Sequence, residues 1–410
     1  MPSLDETLKD RLAALRGQNL FRELRRVDSA QGPRIQIGGI AFLNFSSNDY
    51  LGLANHPALK EAAIKAVEKF GAGAGASRLI CGSLAPFHEL EETLATFKKT
   101  EAALTFSTGY AAALGTITAL VGKDDIIILD KLVHACIVDA AKLSGAKLRI
   151  FDHNDLNDLE KILTWAGKNK SAIGNRQSAI LVVTESIFSM DGDAAPLREI
   201  VELKNKFGAW LMVDEAHATG IIGQNGRGLA DDLGVSEQIE IQFGTLGKAI
   251  GSSGGYICGS RALVDFLVNR ARSFIFSTAP VPAAAAAATA GIKLIQSAEG
   301  KVRRKKLGQF IQRVGDDVRS LKFCPAENQS LLTSSPTKNG SAIIPLILGD
   351  ENRALAAATK LREQNIFVPA IRYPTVARGA ARLRITLTAA HTAADVEYLA
   401  TALKTLDLGL

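Results

Sequence analysis

The run Ala209-Trp210-Leu211-Met212-Val213 is apolar at both alternating sets of positions and stops at Asp214. A strand apolar on both faces belongs inside a parallel sheet covered by helices on each side, with Asp214 at its carboxyl end. Further strand candidates are Ala102 to Phe106, Ile126 to Leu129, Lys147 to Phe151, Ala179 to Thr184 and Ile239 to Phe243, with Gly255 to Cys258 pairing back. Most are separated by helix-length segments, which is the pattern of an α/β fold. Open sheets of this kind bind ligands at the carboxyl ends of their strands.

Two strand ends carry the chemistry. Val213-Asp214-Glu215-Ala216-His217 closes one strand and Phe243-Gly244-Thr245-Leu246-Gly247-Lys248 closes another. Alone, a strand-end Asp reads as a helix cap and a Lys as a solvated charge. As a pair they supply what pyridoxal 5′-phosphate (PLP) requires: an amine to hold its aldehyde and a carboxylate to keep its ring nitrogen protonated. Asp214-Glu215-Ala216-His217 also spells the box of a nucleic-acid ATPase. Such an enzyme needs a Gly-x-x-x-x-Gly-Lys-Ser/Thr loop, and Ala249 follows Lys248. Gly71 to Ala76 imitates a dinucleotide fingerprint but follows the helical pattern Pro57 to Phe70, where the fingerprint needs a strand.

The 48 basic and 42 acidic residues leave a net charge of +6 and no long basic run, which gives no reason to expect a nucleic-acid partner. Lys301 to Lys306, the densest basic cluster, reads as a solvated helix face, with a polyanionic small molecule such as coenzyme A as an alternative partner. Cys81, Cys136, Cys258 and Cys324 contain no Cys-x-x-Cys pair, which points to a reducing compartment and away from structural zinc. Asp152 to Asp158 tempts a metal assignment, yet it lacks the glycine of a calcium loop and reads as a helix cap, so no metal is expected. Met1 to Arg26 reads as an amphipathic helix built on Leu4, Leu8, Leu12 and Leu15, not as a signal peptide. The apolar Ala283 to Ala288 run is far short of a membrane span and reads as a tightly packed helix. A cytoplasmic protein with no membrane partner is the expectation.

Arg34 to Phe45 forms a hairpin pattern turning at Gly38-Gly39. Beyond Ser297 come a long charged helix, strands near Ala342 to Leu348, Ile366 to Ala370 and Leu383 to Thr386, and a helix from Thr392. Gln329 to Gly340 reads as an exposed loop. The expected division is an N-terminal helix and hairpin segment (1–49), a large cofactor-binding domain (50–296) and a smaller α/β domain (297–410).

At the strand ends, Ser107-Thr108-Gly109-Tyr110 offers helix N-terminal amides to a phosphate, and His134 follows another strand in Asp130-Lys131-Leu132-Val133-His134. With Leu43 to Leu53, Phe188-Ser189-Met190-Asp191-Gly192-Asp193, Ile371 to Val376 and Ala381 to Thr386, the chain resembles the α-oxoamine synthases, PLP enzymes of the aspartate aminotransferase fold, over nearly its full length. Within them it is most similar to the branch that serves biotin synthesis. It departs at Cys136, where relatives often carry Ser, and at Tyr373, where many carry a second Pro; Tyr373 bears on the acyl pocket.

The resemblance implies roles. Lys248 holds the cofactor and then, as free amine, removes the α-proton of L-alanine. Asp214 faces the ring nitrogen, His134 stacks on the ring, and His217 bonds the ring oxygen with Ser189 nearby. Gly109, Tyr110 and Thr245 hold the phosphate, and Thr278 reaches the phosphate of a second subunit in a homodimer. Arg384 clamps the substrate carboxylate, Asn48 and Glu185 flank the acyl group, and Arg25 and Thr375 belong to the acyl-substrate site. The implied reaction joins L-alanine to a pimeloyl thioester, carried by coenzyme A or an acyl carrier protein, with loss of carbon dioxide. A glycine-using relative acting on acetyl-CoA, a nucleic-acid ATPase and a non-catalytic scaffold are the alternatives.

Overall fold

The computed structural model describes residues 2–170, 172–173, 176–320 and 340–406. Its strands are β1 (Arg34–Ile37), β2 (Ile40–Asn44), β3 (Ala102–Phe106), β4 (Ile126–Asp130), β5 (Lys147–Phe151), β6 (Ala172–Ile173), β7 (Arg176–Gln177), β8 (Ile180–Glu185), β9 (Trp210–Asp214), β10 (Ile241–Thr245), β11 (Gly255–Gly259), β12 (Ile343–Gly349), β13 (Ile366–Phe367), β14 (Ala370–Ile371) and β15 (Ala381–Thr386). The main sheet has seven strands in the order β3-β11-β10-β9-β8-β4-β5. Only β11 runs against the others, pairing antiparallel with both β10 and β3.

Every residue of β4 and β8 is buried, as the continuous apolar runs require. Alternation then divides the two faces. Ile127, Leu129, Leu181, Val183 and Met212 join a core with the helices Gly109–Leu120 and Ala135–Ser144. Ile126, Ile128, Val182, Leu211 and Val213 face the helices Leu156–Lys168 and Leu197–Phe207. The chain passes outward from β4 to β5 and resumes on the other side of β4 with β8, so the topological switch lies between β4 and β8.

The helix Pro282–Gln296 packs on the helices Pro57–Phe70 and Ala85–Lys98. Its small residues permit close approach: a Cβ at Gly291 would stand 2.3 Å from the carbonyl oxygen of Ile250. Among the described residues no helix is long and apolar enough to cross a membrane.

A second sheet, β12-β15-β14, and a third, β1-β2-β13, complete the positioning scaffold. The β1–β2 hairpin turns at Gly38-Gly39, both at positive φ, as the sequence indicates. The expected strand Ile366 to Ala370 is instead two. β13 pairs with β2 and β14 pairs with β15, because Pro369 between them has no N–H to continue one ladder.

Two other expectations change. The N-terminal helix spans Leu4–Gly17, starting from a Ser3–Glu6 capping box, and buries none of its residues. Leu4, Leu8, Leu12 and Leu15 are all exposed. The basic cluster lies on the helix Ala298–Ser320 but is not merely solvated. Arg303 donates to Leu51 O (2.9 Å), and Arg304 donates to Ile295 O (2.6 Å) and Gln224 O (3.0 Å). Gln329 to Gly340, apart from its last residue, and Cys324 lie outside the described residues.

Candidate active site

Parallel pairing of β8 with β9 sets Glu185 against Asp214 at their carboxyl ends, beside the switch point. Both are buried. Asp214 Oδ1 accepts from the Ala216 N–H at 2.8 Å. Burial pushes the Asp214 carboxyl up to about 6, against the pull of Lys248. Burial, reinforced by the Asp214 charge, raises Glu185 well above the carboxylate range, and its Oε1 has no hydrogen-bond partner. Two such carboxyl groups need a shared cation or a shared proton.

Lys248 is the nearby cation. It follows β10 in a turn closed by Leu246 N–H to Gly254 O and Gly251 N–H to Lys248 O, both 2.9 Å. Burial lowers its pKa while Asp214 and Glu185 oppose that shift. The arrangement therefore favours an amine able to lose its proton, which is what a nucleophilic or basic lysine requires.

His217 stands on the turn after β9. Its Nε2 lies 2.7 Å from Lys248 Nζ and its Nδ1 lies 2.7 Å from Tyr50 Oη. Burial, with Lys248 next in size, holds its pKa well below the usual histidine value, so the ring is neutral. Tyr50 Oη donates to Asn48 Oδ1 at 3.1 Å, and Arg384 Nη1 donates to the same oxygen at 3.2 Å. Arg384 Nε donates to Ser189 O at 2.7 Å. One polar chain thus runs from the Ser189 loop through Arg384, Asn48, Tyr50 and His217 to Lys248.

His134 caps the helix Ala135–Ser144, its Nδ1 accepting from the Cys136 N–H at 3.2 Å. Cys136 Sγ stands 3.0 Å from the same nitrogen, so the thiol occupies the position of a second local donor. Burial and Lys248 lower the His134 pKa.

Thr108 caps the helix Gly109–Leu120 by accepting from the Ala111 N–H at 3.0 Å. A Cβ at Gly109 would lie 3.7 Å from the Thr245 side chain, so this helix N-terminus stands beside the end of β10. Gly255 makes that approach possible, since a Cβ there would stand 2.6 Å from Gly109 Cα. Thr245 Oγ1 donates to Gly254 O at 2.9 Å. The exposed Tyr110 donates its hydroxyl to Asp139 Oδ2 at 2.6 Å. Thr278 is exposed and bridges to Ser77.

Arg25 and Thr375 stand apart from this polar chain. The exposed Arg25 guanidinium lies over the Phe367 ring at 5.8 Å, and Thr375 Oγ1 accepts from Arg22 at 3.1 Å. The structure adds residues that sequence reading left without roles. Tyr50 links His217 to Asn48, and Arg382 binds Asp191 Oδ1 at 2.5 Å. Both lie in the motifs quoted above, but spacing alone names no partner for them.

The family model for aminotransferase class I and II matches residues 40–403. The chain is 45% identical to a protein named 8-amino-7-oxononanoate synthase from Geotalea daltonii, over 97% of each chain. It is 47% identical to one of the same name from Anaeromyxobacter dehalogenans, over 96% of this chain and 93% of that one. A solved serine palmitoyltransferase from S. paucimobilis, holding PLP and myriocin, superposes with a TM-score of 0.87 at 29% identity, covering 98% of this chain and 96% of that chain. A family match across both sheets of the site, joined to full-length identity of this order, makes the chain a member of the class I and II aminotransferases and, within them, of the α-oxoamine synthases.

Proposed function

We propose that the chain binds PLP and catalyses the condensation of L-alanine with a pimeloyl thioester to give 8-amino-7-oxononanoate, a step of biotin biosynthesis. The observation that carries this reading is the full-length identity to proteins of that name, in a chain whose Lys248, Asp214, His217 and His134 converge at one set of strand ends.

The residues present fit the cofactor. A buried Asp214 carboxylate suits the ring nitrogen, and the unpartnered Glu185 Oε1 beside it marks polar capacity the protein leaves unused. The helix N-terminus at Gly109 and Tyr110, next to Thr245, suits a phosphate. Bound PLP supplies an aldehyde that holds the amino-acid nitrogen and a protonated ring that takes up the electron pair released at the substrate Cα.

The protein's own groups do the rest. Asp214 would hold the ring proton, His134 would serve the ring face, and His217, with Ser189 nearby, would hydrogen-bond the ring oxygen. Lys248, its pKa lowered by burial, accepts the alanine α-proton. Arg384 spends two of the guanidinium's five donors on Ser189 and Asn48 and offers the remainder to the substrate carboxylate. Asn48 and Glu185 flank the acyl carbon, with Arg25 and Thr375 toward the far end of the acyl chain. Overall, a carbon–carbon bond forms between the alanine Cα and the thioester carbonyl, the thiol leaves, the carboxyl group departs as carbon dioxide, and a proton returns to Cα.

The reading extends to a cytoplasmic homodimer in which Thr278 reaches the partner subunit's phosphate site. Leu79, Ile80, Phe276 and Val281 support it: these exposed apolar side chains lie near the Ser77–Thr278 bridge in sequence. The division at residues 49 and 296 into an N-terminal segment, a large domain and a small domain belongs to the same proposal.

Comparing kcat/KM for alanine and glycine, each with pimeloyl-CoA and acetyl-CoA, tests the substrates. Alanine with pimeloyl-CoA is the expected best pair. If glycine with acetyl-CoA is best, the substrate reading fails. Borohydride reduction of the PLP-loaded protein is expected to label Lys248, and a label on another lysine overturns its assignment.

A further inference from the structure

The Asp152 to Asp158 stretch, set aside as a metal site, contains the most heavily bonded histidine outside the polar chain. His153 Nδ1 lies 2.9 Å from Asp130 Oδ1 and His153 Nε2 lies 2.8 Å from Asp193 Oδ2. Asp130 also accepts from the backbone N–H groups of Leu132 (2.8 Å) and Asn154 (3.0 Å), and Asp193 Oδ2 accepts from Asn154 Nδ2 (3.0 Å). With donors arriving from every side, both carboxylates act as acceptors. Both imidazole nitrogens must then donate, which makes the ring an imidazolium. Phe188 closes the site edge-on at 4.4 Å. The Asp130 and Asp193 side chains are 0% and 8% exposed.

The two carboxylates belong to different segments of the candidate active site. Asp130 ends β4, four residues before His134. Asp193 ends the loop that carries Ser189. The opposite side of that loop is held by the small sheet: Arg384 bonds Ser189 O, Arg382 bonds Met190 O (3.2 Å) and Asp191, and a Cβ at Gly192 would stand 2.3 Å from Ile343 O. The remaining Asp193 oxygen, Oδ1, is buried without a partner, so its charge depends on His153 and Asn154.

We propose that His153 is a positioning residue: its imidazolium, shared by Asp130 and Asp193, fixes the His134 segment and the Ser189 loop relative to each other and so sets the cofactor site. Without it, two buried carboxylates lose their shared counter-ion and Asn154 alone ties the Ser189 loop to Asp130. The inference rests on the PLP reading above, but its first test does not.

In ligand-free protein labelled with nitrogen-15 histidine, the His153 ring is expected to show two protonated nitrogens at pH 8. A ring titrating like ordinary histidine overturns the proposal without touching the PLP reading. In His153→Gln, the Kd for PLP is expected to rise about tenfold and the visible circular dichroism of the bound cofactor to weaken. Adding Asp193→Asn, which removes the facing charge, is expected to restore part of both. A variant with lower Tm but unchanged PLP affinity and dichroism assigns His153 to stability alone and overturns the proposal. Should His153→Gln not fold, Asp193→Asn alone carries the test: weaker PLP binding supports the positioning role, and unchanged binding overturns it. Absence of PLP binding by the wild-type protein would instead sink the cofactor reading.

Discussion

Tyr50 Oη and Lys248 Nζ face opposite nitrogens of the same neutral ring, each 2.7 Å from His217. Because Tyr50 donates its proton to Asn48, the ring presents Nδ1–H to the tyrosine oxygen and a lone pair on Nε2 to the lysine. Rotation of the hydroxyl toward Nδ1 reverses this, leaving Nε2–H as a donor. Tyr50 thereby selects what His217 offers at the Lys248 side. Burial, which pushes its own pKa up to about 12, keeps the phenol protonated for that task.

Tyr50→Phe leaves the buried Nδ1 without its partner, at a cost of about 1–3 kcal/mol. The expected result is a fall in kcat/KM of about tenfold or more, with PLP still bound, since the other proposed contacts remain. Steady-state kinetics together with a PLP titration measures it; unchanged kcat/KM would remove Tyr50 from the site.

Asp214→Asn separates catalysis from folding. The folded state raises the Asp214 pKa from 3.8 to about 6, so ionising this carboxyl costs stability as pH rises through that interval. The amide does not ionise, and the Tm of the ligand-free variant at pH 8 is expected to be no lower than wild type. An amide also cannot stabilise a protonated ring by charge, so turnover is expected to drop about 100-fold, or ~2.7 kcal/mol. Calorimetry and initial rates on one preparation test both halves.

Lys98 Nζ is buried against Glu215 and donates to Arg227 O at 2.5 Å, while Glu215 Oε1 accepts from the Ala230 N–H at 3.0 Å. Lys98→Met strands a buried carboxylate next to Asp214 and is expected to cost about 3–5 kcal/mol. Adding Glu215→Gln neutralises that charge and is expected to recover much of the loss. Urea unfolding of the wild type, Lys98→Met, Glu215→Gln and the double variant closes the cycle, and equal stability of Lys98→Met and wild type would show that the pair contributes nothing.

His391 predicts a pH dependence. Its Nε2 faces Asn44 O at 3.0 Å and must donate, while its Nδ1 accepts from the Thr388 N–H at 3.2 Å. Protonating Nδ1 would set two donors against each other, and burial lowers the pKa from 6.5 to about 4. The unfolded chain therefore takes up the proton first. Stability from this group is full above pH 6.5 and is lost as pH falls toward 4, on the order of 3 kcal/mol. His391→Asn is expected to flatten that part of the Tm profile between pH 4 and 6.5; an unchanged slope would refute the assignment.

The main sheet was legible because β4, β8 and β9 are nearly uninterrupted apolar runs, and a strand buried on both faces must be written that way. Asp214 was legible because it ends such a run, and Lys248 because it follows a strand in a Gly-Thr-Leu-Gly turn. Pro369, which divides Ile366 to Ala370 between two sheets, was visible in the sequence, but the partner of each half was not. The same holds for Tyr50 and His153. Their meaning lies in contacts to residues 167, 23 and 40 positions away, and no local periodicity encodes those distances. Arg303 and Arg304 look like any charged helix face until the carbonyls they reach are in place.

The pairing of β2 with β13 also determines when a site can exist. Phe45 N–H bonds Phe367 O (3.0 Å), Thr386 N–H bonds Phe45 O (2.8 Å), and Ala389 N–H bonds Tyr50 O (2.8 Å). The segment bearing Asn48 and Tyr50 thus leaves the ribosome long before the strands that anchor it. A nascent chain that has already assembled the Lys248 sheet still lacks the wall opposite the lysine. That wall is fixed only once residues as far along as Ala389 are in place, and a chain shortened before Phe367 would carry its lysine in a site open on one side.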